Sequence, residues 1–290
     1  MPNYKTHSIH GELLFSLIDK RIFISKEDLK TYCFGFDTLI FSDYALFEKQ
    51  HKENTKLYFE TLLKSIKQNR LQDNSETMAY LYGQIDHFVL DMTIHPLIYY
   101  MTENMPKKHI LDNHALVEHE IDNYVQNKYN IQDEVYQKWE VNDPKLRNLI
   151  NHIYMLAYQK SKMVLKYDLG IKSINVYDNL ARRNALKVTP IICFIFNIGD
   201  ITYHKNNKNK KYLNLKHKPW LNPETGKISC DSFDDLWNKS LDLSLETIDN
   251  INHYLYDDKN LNIDIIENDL SLNTGLPCKE GQNFTYTKKY

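Results

Sequence analysis

The sequence predicts an all-α fold: one multi-helix domain over residues 1–265 and a C-terminal tail over 266–290. Two observations carry this. Glycine and proline number only 8 each among 290 residues, which favours long helices over turn-rich β architecture. Long stretches also repeat apolar residues at helical spacing.

Taken in order, Ile9, Leu13, Leu14, Leu17 and Ile18 predict a helix over 8–20. Residues 21–43 read as a short connection and a loop carrying FGFD. Residues 44–70 read as one long amphipathic helix, with Leu46, Phe47, Leu57, Phe59, Leu62, Leu63 and Ile66 on its apolar face. QDNSET (72–77) has N-cap chemistry. MAYLYGQIDHFVLDMTIH continues from it as a mostly apolar helix, which Pro96 should end or kink. A helix follows over 112–128, capped by Asp112 or Asn113. Another is expected over 143–170, with Pro144 in its first turn and Gly170 as its stop. VTPIICFIFNIG (188–199) is the most apolar run and reads as a buried helix or strand. It falls short of the ~20 residues that span a bilayer. Residues 204–227 form a basic loop, and 232–255 return to helix behind Asp231 or Ser232. Periodicity weakens after about residue 265.

Composition excludes several function classes. A hydrophobic share of 42% and a formal charge of -2 describe an ordinary soluble chain. There is no global basic field of the kind that gathers nucleic acid. Cys33, Cys193, Cys230 and Cys278 are scattered without a CxxC pair, so no cysteine zinc site or redox motif is indicated. The N-terminus lacks the charged and apolar regions of a secretion signal, so a cytoplasmic location is expected. Nothing in the sequence bears on oligomeric state.

The chemistry is concentrated in two clusters, His87, Asp91 and His95 in HFVLDMTIHP, and His114 and Glu118 in HALVE. Steps of four stack side chains on one helix face, each about 40° round from the last. These are ligand types that zinc accepts. Residues eight apart on a helix are separated by roughly 12 Å, so one ion cannot easily span His87 and His95. The first helix should therefore serve at least two ions, with Asp91 central and able to bridge. His114 and Glu118 on a second helix would complete the set around His95. His10, His109, His119 and His152 read as structural, and Glu120 and Asp122 as charges on a solvated face. Asp122 extends the His114–Glu118 stripe and could support it from behind. His217 and Trp220 in the basic loop are candidates to approach the pocket.

In order, the first 122 residues present His7 (in THSIH), Asp37 (in GFD), His51 (in QHKENT), His87, Asp91, His95, His114 and Glu118. This succession resembles the bacterial zinc-dependent phospholipase C family, whose distant relatives include single-strand nucleases. The resemblance is strongest over residues 1–125, and KHKPWLNPETG with SFDDLWNKSL (216–241) also looks like the back half of family members. It implies the family's helical fold and two to three zinc ions. Asp37, His51, His87 and Asp91 would hold one. His95, His114 and Glu118 would hold a second. His7 and Asp91 would share in a third. The sequence departs from the secreted enzymes at the N-terminus, where they place a ligating tryptophan; His10, the amine of Pro2 or water could substitute. The step from Asp91 to His95 is also shorter, though still in helical phase.

Three divalent ions beside the carboxylates of Asp37, Asp91 and Glu118 would leave a positive pocket suited to phosphate and to its pentacoordinate transition state. The expected activity is hydrolysis of a phosphate ester, with a phospholipid headgroup as the substrate the resemblance implies and Asp37 as candidate general base. A nuclease-like phosphodiesterase and a non-catalytic, metal-stabilised helical binding module are the alternatives. A di-iron bundle fits poorly, since only Glu48–His51 supplies an ExxH motif.

Overall fold

The computed structural model describes residues 4–19, 23–103, 113–130, 141–183, 210–257, 260 and 263–278. The apolar run 188–199, His109 and Asp112 lie outside them. The fold is all-α. Its helices are α1 (Tyr4–Leu17), α2 (Lys26–Tyr32), α3 (Tyr44–Gln50), α4 (Thr55–Gln68), α5 (Ser75–Glu103), α6 (Asn113–Tyr129), α7 (Pro144–Tyr158), α8 (Met163–Arg183), α9 (Phe233–Tyr256) and the short α10 (Asp264–Glu267). A 3-10 turn spans Gly35–Leu39. Among the described residues, one small antiparallel hairpin pairs Trp220 with Ser229 and Leu221 with Ile228.

α5 is the axis. It is apolar on every side and almost continuously buried from Thr77 to Ile98, as expected of a helix enclosed by others. α9 packs along it most extensively, and α1, α2 and α6 cover the rest. One apolar cluster surrounds its first half, with Phe36, Phe59 and Phe88. A second gathers Leu90, Ile94, Val117, Ile121 and Trp237 around its second half. Asp91 sits between Leu90 of the second cluster and Met92 of the first, so the polar site lies where the two meet.

Several boundaries differ from the expectations. α2 lies inside the stretch read as loop; Ser25 caps it by accepting from the Asp28 N–H at 3.2 Å. The expected helix over 44–70 is two helices, broken at Asn54 in the left-handed region (φ 61°). That break leaves His51 at the end of α3. The expected helix over 143–170 is also two, because Gln159 closes α7 in a left-handed cap and Asn151 Oδ1 accepts from the Met163 N–H at 2.8 Å. Gly170 does not stop α8. It allows close approach: a Cβ there would lie 1.8 Å from the Thr38 carbonyl oxygen. Pro96 neither ends nor breaks α5, which continues to Glu103; packing on all sides overrides the lost hydrogen bond. The caps of α5 and α9 match expectation. Asn74 Oδ1 accepts from the Thr77 N–H at 2.8 Å, and Ser232 with Asp235 forms a reciprocal capping box.

Candidate metal centre

Five separate elements deliver the ligand-type side chains. α5 presents His87, Asp91 and His95 on one face. The 3-10 turn presents Asp37, His51 caps the C-terminal end of α3, α1 carries His7, and α6 carries His114 and Glu118. Seven of these eight residues are at most 3% exposed; His114, its side chain 15% exposed, is the edge nearest solvent.

The geometry divides them into two groups. One ligand atom from each of His7, Asp37, His87 and Asp91 lies within 4.8 Å of the others, and the same holds for His95, His114 and Glu118. His51 joins the first group, its Nε2 3.2 Å from Asp37 Oδ1 and 3.6 Å from Asp91 Oδ2. Asp91 splits its two oxygens: Oδ1 faces His7 Nε2 at 3.3 Å, while Oδ2 faces His87 Nε2 at 3.4 Å as well as His51. Asp37 Oδ2 lies 3.8 Å from His7 Nε2, and its Oδ1 4.0 Å from His87 Nε2. In the second group Glu118 Oε1 is 2.7 Å from His114 Nε2 and 3.4 Å from His95 Nε2. Asp91, His95 and Glu118 line a common pocket with Thr6, Ile94 and Ile121, so the groups adjoin.

Whether these residues fit a metal can be judged from their hydrogen bonding. Buried polar atoms are almost always paired. Here both ring nitrogens of His7 and of His87, both oxygens of Asp37, His51 Nε2, Asp91 Oδ2 and His95 Nε2 are buried without a hydrogen-bond partner of good geometry. The exceptions are telling. His51 Nδ1 is 2.8 Å from the Phe47 carbonyl and His95 Nδ1 is 2.9 Å from the Leu272 carbonyl. A carbonyl only accepts, so each Nδ1 carries a proton and Nε2 is the nitrogen left to face the site, the arrangement found behind metal-ligating histidines. The groups fit a metal site.

The electrostatics agree. Burial would depress His51, but the facing carboxylates of Asp37 and Asp91 overcome it and raise the ring to about 10. His7 and His95 are raised in the same way, against burial, chiefly by Asp91. His87, buried with His7 and His51 beside it, is instead lowered to about 4 despite Asp91. Burial raises carboxyls, yet Asp91 is held well below the ordinary range by His95, His87 and His7, and Glu118 is likewise lowered by His114. Without metal, protons hold the negative charge in place. His51, raised from 6.5 to about 10, thus stabilises the metal-free fold below pH 6.5, and that contribution is lost as pH rises through about 10. Ligation needs Nε2 free, so zinc binding at pH 8 is expected to release protons, and affinity should climb with pH toward about 10. Calorimetric titration in buffers of different ionisation enthalpy measures this; affinity flat from pH 6 to 9 would count against it.

Two buried networks hold the frame. Asp122 on α6 accepts from the Thr6 N–H and hydroxyl at 2.8 and 2.6 Å and from the Lys5 N–H at 3.3 Å. It thereby caps α1, the helix that carries His7, one turn beyond Glu118, and it is fully buried, which corrects its reading as a charge on a solvated face. His10 does not reach the ligand groups. Its Nδ1 is 2.7 Å from Asp86 Oδ1 and its Nε2 2.8 Å from Ser240 Oγ, while Cys33 Sγ–H donates to Asp86 Oδ2 at 3.3 Å. The sequence option of His10 as a substitute ligand is therefore corrected. Nor is this a nucleophilic triad, since Ser240 is fully buried and its hydroxyl donates to the Trp237 carbonyl at 2.8 Å. Trp220 and His217 also stay out of the groups. Trp220 is buried with its Nε1–H on the Asp231 carbonyl, and exposed His217 lies 3.2 Å from Asp235.

Sequence reasoning missed Gly35, Asp86, Ser240 and Leu272. Gly35 has φ 48°, and a Cβ on it would come within 2.2 Å of His87 Cγ; FGFD displayed the glycine but not the ring above it. Asp86 neighbours His87 without sharing its face. Leu272 acts through its backbone, which no residue type announces.

Among the described residues, no helix is long and apolar enough to cross a membrane. No curated protein and no solved structure gives a match. The family model of zinc-dependent phospholipase C matches residues 6–164, more than half of the chain and all eight ligand-type residues. With that span and this site, the chain belongs to the zinc-dependent phospholipase C family.

Proposed function

We propose that this protein is a zinc-dependent hydrolase of phosphate esters that takes phospholipid headgroup esters or their close chemical relatives. The observation that carries the reading is Asp91, whose two oxygens address different histidines within one buried cluster. That division suits a bridging carboxylate. Asp37, His51, His87 and Asp91 would hold one ion, His95, His114 and Glu118 a second, and His7 with Asp91 a third. Bound zinc supplies a Lewis acid for phosphoryl oxygen and lowers the pKa of water toward neutrality.

The chain's own residues do the rest. His51 and His95, each pinned through Nδ1, keep Nε2 aimed into the site. Asp37, the candidate general base, would orient water through Oδ2 and accept its proton. The apolar walls at Ile94, Ile98 and Ile121 limit bulk water beside Asp91 and Glu118, which strengthens electrostatic stabilisation of developing charge. His114 marks the open edge by which a substrate phosphate can enter.

The test is turnover of p-nitrophenylphosphocholine, bis-p-nitrophenyl phosphate and single-stranded DNA by zinc-loaded protein, with and without chelator. Chelator-sensitive turnover of the phosphocholine ester is the expected result. Turnover of DNA alone would replace the reading by a nuclease. Bound zinc without turnover of any of the three would favour a metal-stabilised binding module.

A further inference from the structure

The segment after α9 returns to the site from outside the family-matched stretch, which ends at residue 164. Its fold is compact. Leu270 and Pro277 pair as an antiparallel bridge, the Ser271 N–H donates to the Leu276 carbonyl at 2.8 Å, and the Cys278 N–H donates to the Asp269 carbonyl at 2.8 Å. Asp269 Oδ1 anchors one end by accepting from the Lys56 N–H at the start of α4, at 2.7 Å.

Its tip touches both ligand groups through one residue. The Leu272 N–H donates to the His51 carbonyl at 3.1 Å, and the Ser271 hydroxyl donates to the same oxygen at 2.8 Å. The Leu272 carbonyl accepts from His95 Nδ1 at 2.9 Å. So a single residue's backbone fixes the backbone of a ligand in the first group and the tautomer of a ligand in the second. The seat is on α5 itself. Pro96 has no N–H to give the Met92 carbonyl, and Gly275 (φ 66°) packs there, where a Cβ would lie 3.0 Å from Met92 oxygen. Pro96 inside the ligand helix and Gly275 in the returning loop are thus two halves of one contact.

We infer that residues 269–278 form a positioning strap that couples the two metal groups through Ser271 and Leu272. The inference rests on the reading that both groups hold zinc. Partners that orient ligating histidines change metal affinity by about 10–100-fold when removed. Leu272, whose carbonyl holds the His95 ring, and Ser271, which holds that loop against the His51 carbonyl, should therefore act on zinc retention rather than on folding alone.

The experiment compares full-length wild type with Ser271→Ala, Ser271→Thr and Gly275→Val. Zinc per chain is measured after dialysis against graded chelator, and thermal melting is recorded on the metal-free proteins. Ser271→Ala should lose zinc at about tenfold lower chelator strength with metal-free melting near wild type, and Ser271→Thr should restore retention. Gly275→Val, which displaces the strap, should weaken zinc held by both groups. If Ser271→Ala retains zinc like wild type, the strap is structural only and the inference is overturned. If wild type itself binds no zinc, the metal reading fails first.

Discussion

Asp91→Asn is expected to lower zinc content through the ions that Asp91 would hold, and to lower phosphate-ester hydrolysis by about 10²–10³-fold, the scale seen when one preorganised electrostatic group is deleted. The substitution keeps shape and removes charge. The Asp91 oxygens face His7, His51 and His87 within 3.6 Å, and the field of the carboxylate reaches His95 in the second group. The metal-free protein should suffer as well. His7 and His51 are raised by this carboxylate, and leaving a buried partner uncompensated costs about 3–5 kcal/mol. Deprotonation of the rings caps that loss, so the penalty should shrink as pH rises. Denaturant unfolding in chelator at pH 6 and pH 9 measures it. Unchanged zinc stoichiometry in the variant would sink the bridging assignment.

Gly35→Ala is expected to destabilise the fold by about 2–5 kcal/mol, combining a left-handed backbone for an L-residue with overpacking against a ring. The added Cβ would meet His87 Cγ at 2.2 Å, and the ring has nowhere to go beside His7 (centroids 4.4 Å apart) and Phe36 (5.9 Å). Relief must come from the turn that carries Asp37. Zinc binding by the His7–Asp37–His51–His87 side should therefore weaken, while His95, His114 and Glu118 keep their geometry. Melting temperature and zinc per chain check both parts, and wild-type values for both would contradict the close contact.

What the sequence disclosed follows from where the information lies. Spacing along one helix was readable, because His87, Asp91 and His95 share a face of α5 whatever surrounds it. The two-group division was also readable, since a helical rise of about 1.5 Å per residue by itself holds His87 and His95 too far apart for one ion. Helix limits were less legible. Asn54 and Gln159 break the chain in left-handed conformations that nothing in their local sequence demands. The contacts that fix the start of α4, with Ala157 and Asp269, are far away along the chain. Gly170 does not stop its helix, and Pro96 does not end its own. Each serves a contact, with Thr38 and with the loop at Gly275, and tertiary packing outweighs the propensity of either. The strap was invisible for a further reason: its contributions are a hydroxyl and backbone groups, supplied by ordinary Ser and Leu.

The central claim is that this cluster of buried histidines and carboxylates is a zinc site serving two or more ions. Elemental analysis of full-length protein purified without an affinity tag tests it most directly. Two to three zinc per chain, reduced in Asp91→Asn, is the predicted result. A chain that remains folded, takes up no zinc from a zinc-supplemented buffer at pH 8 and shows none on purification would contradict it.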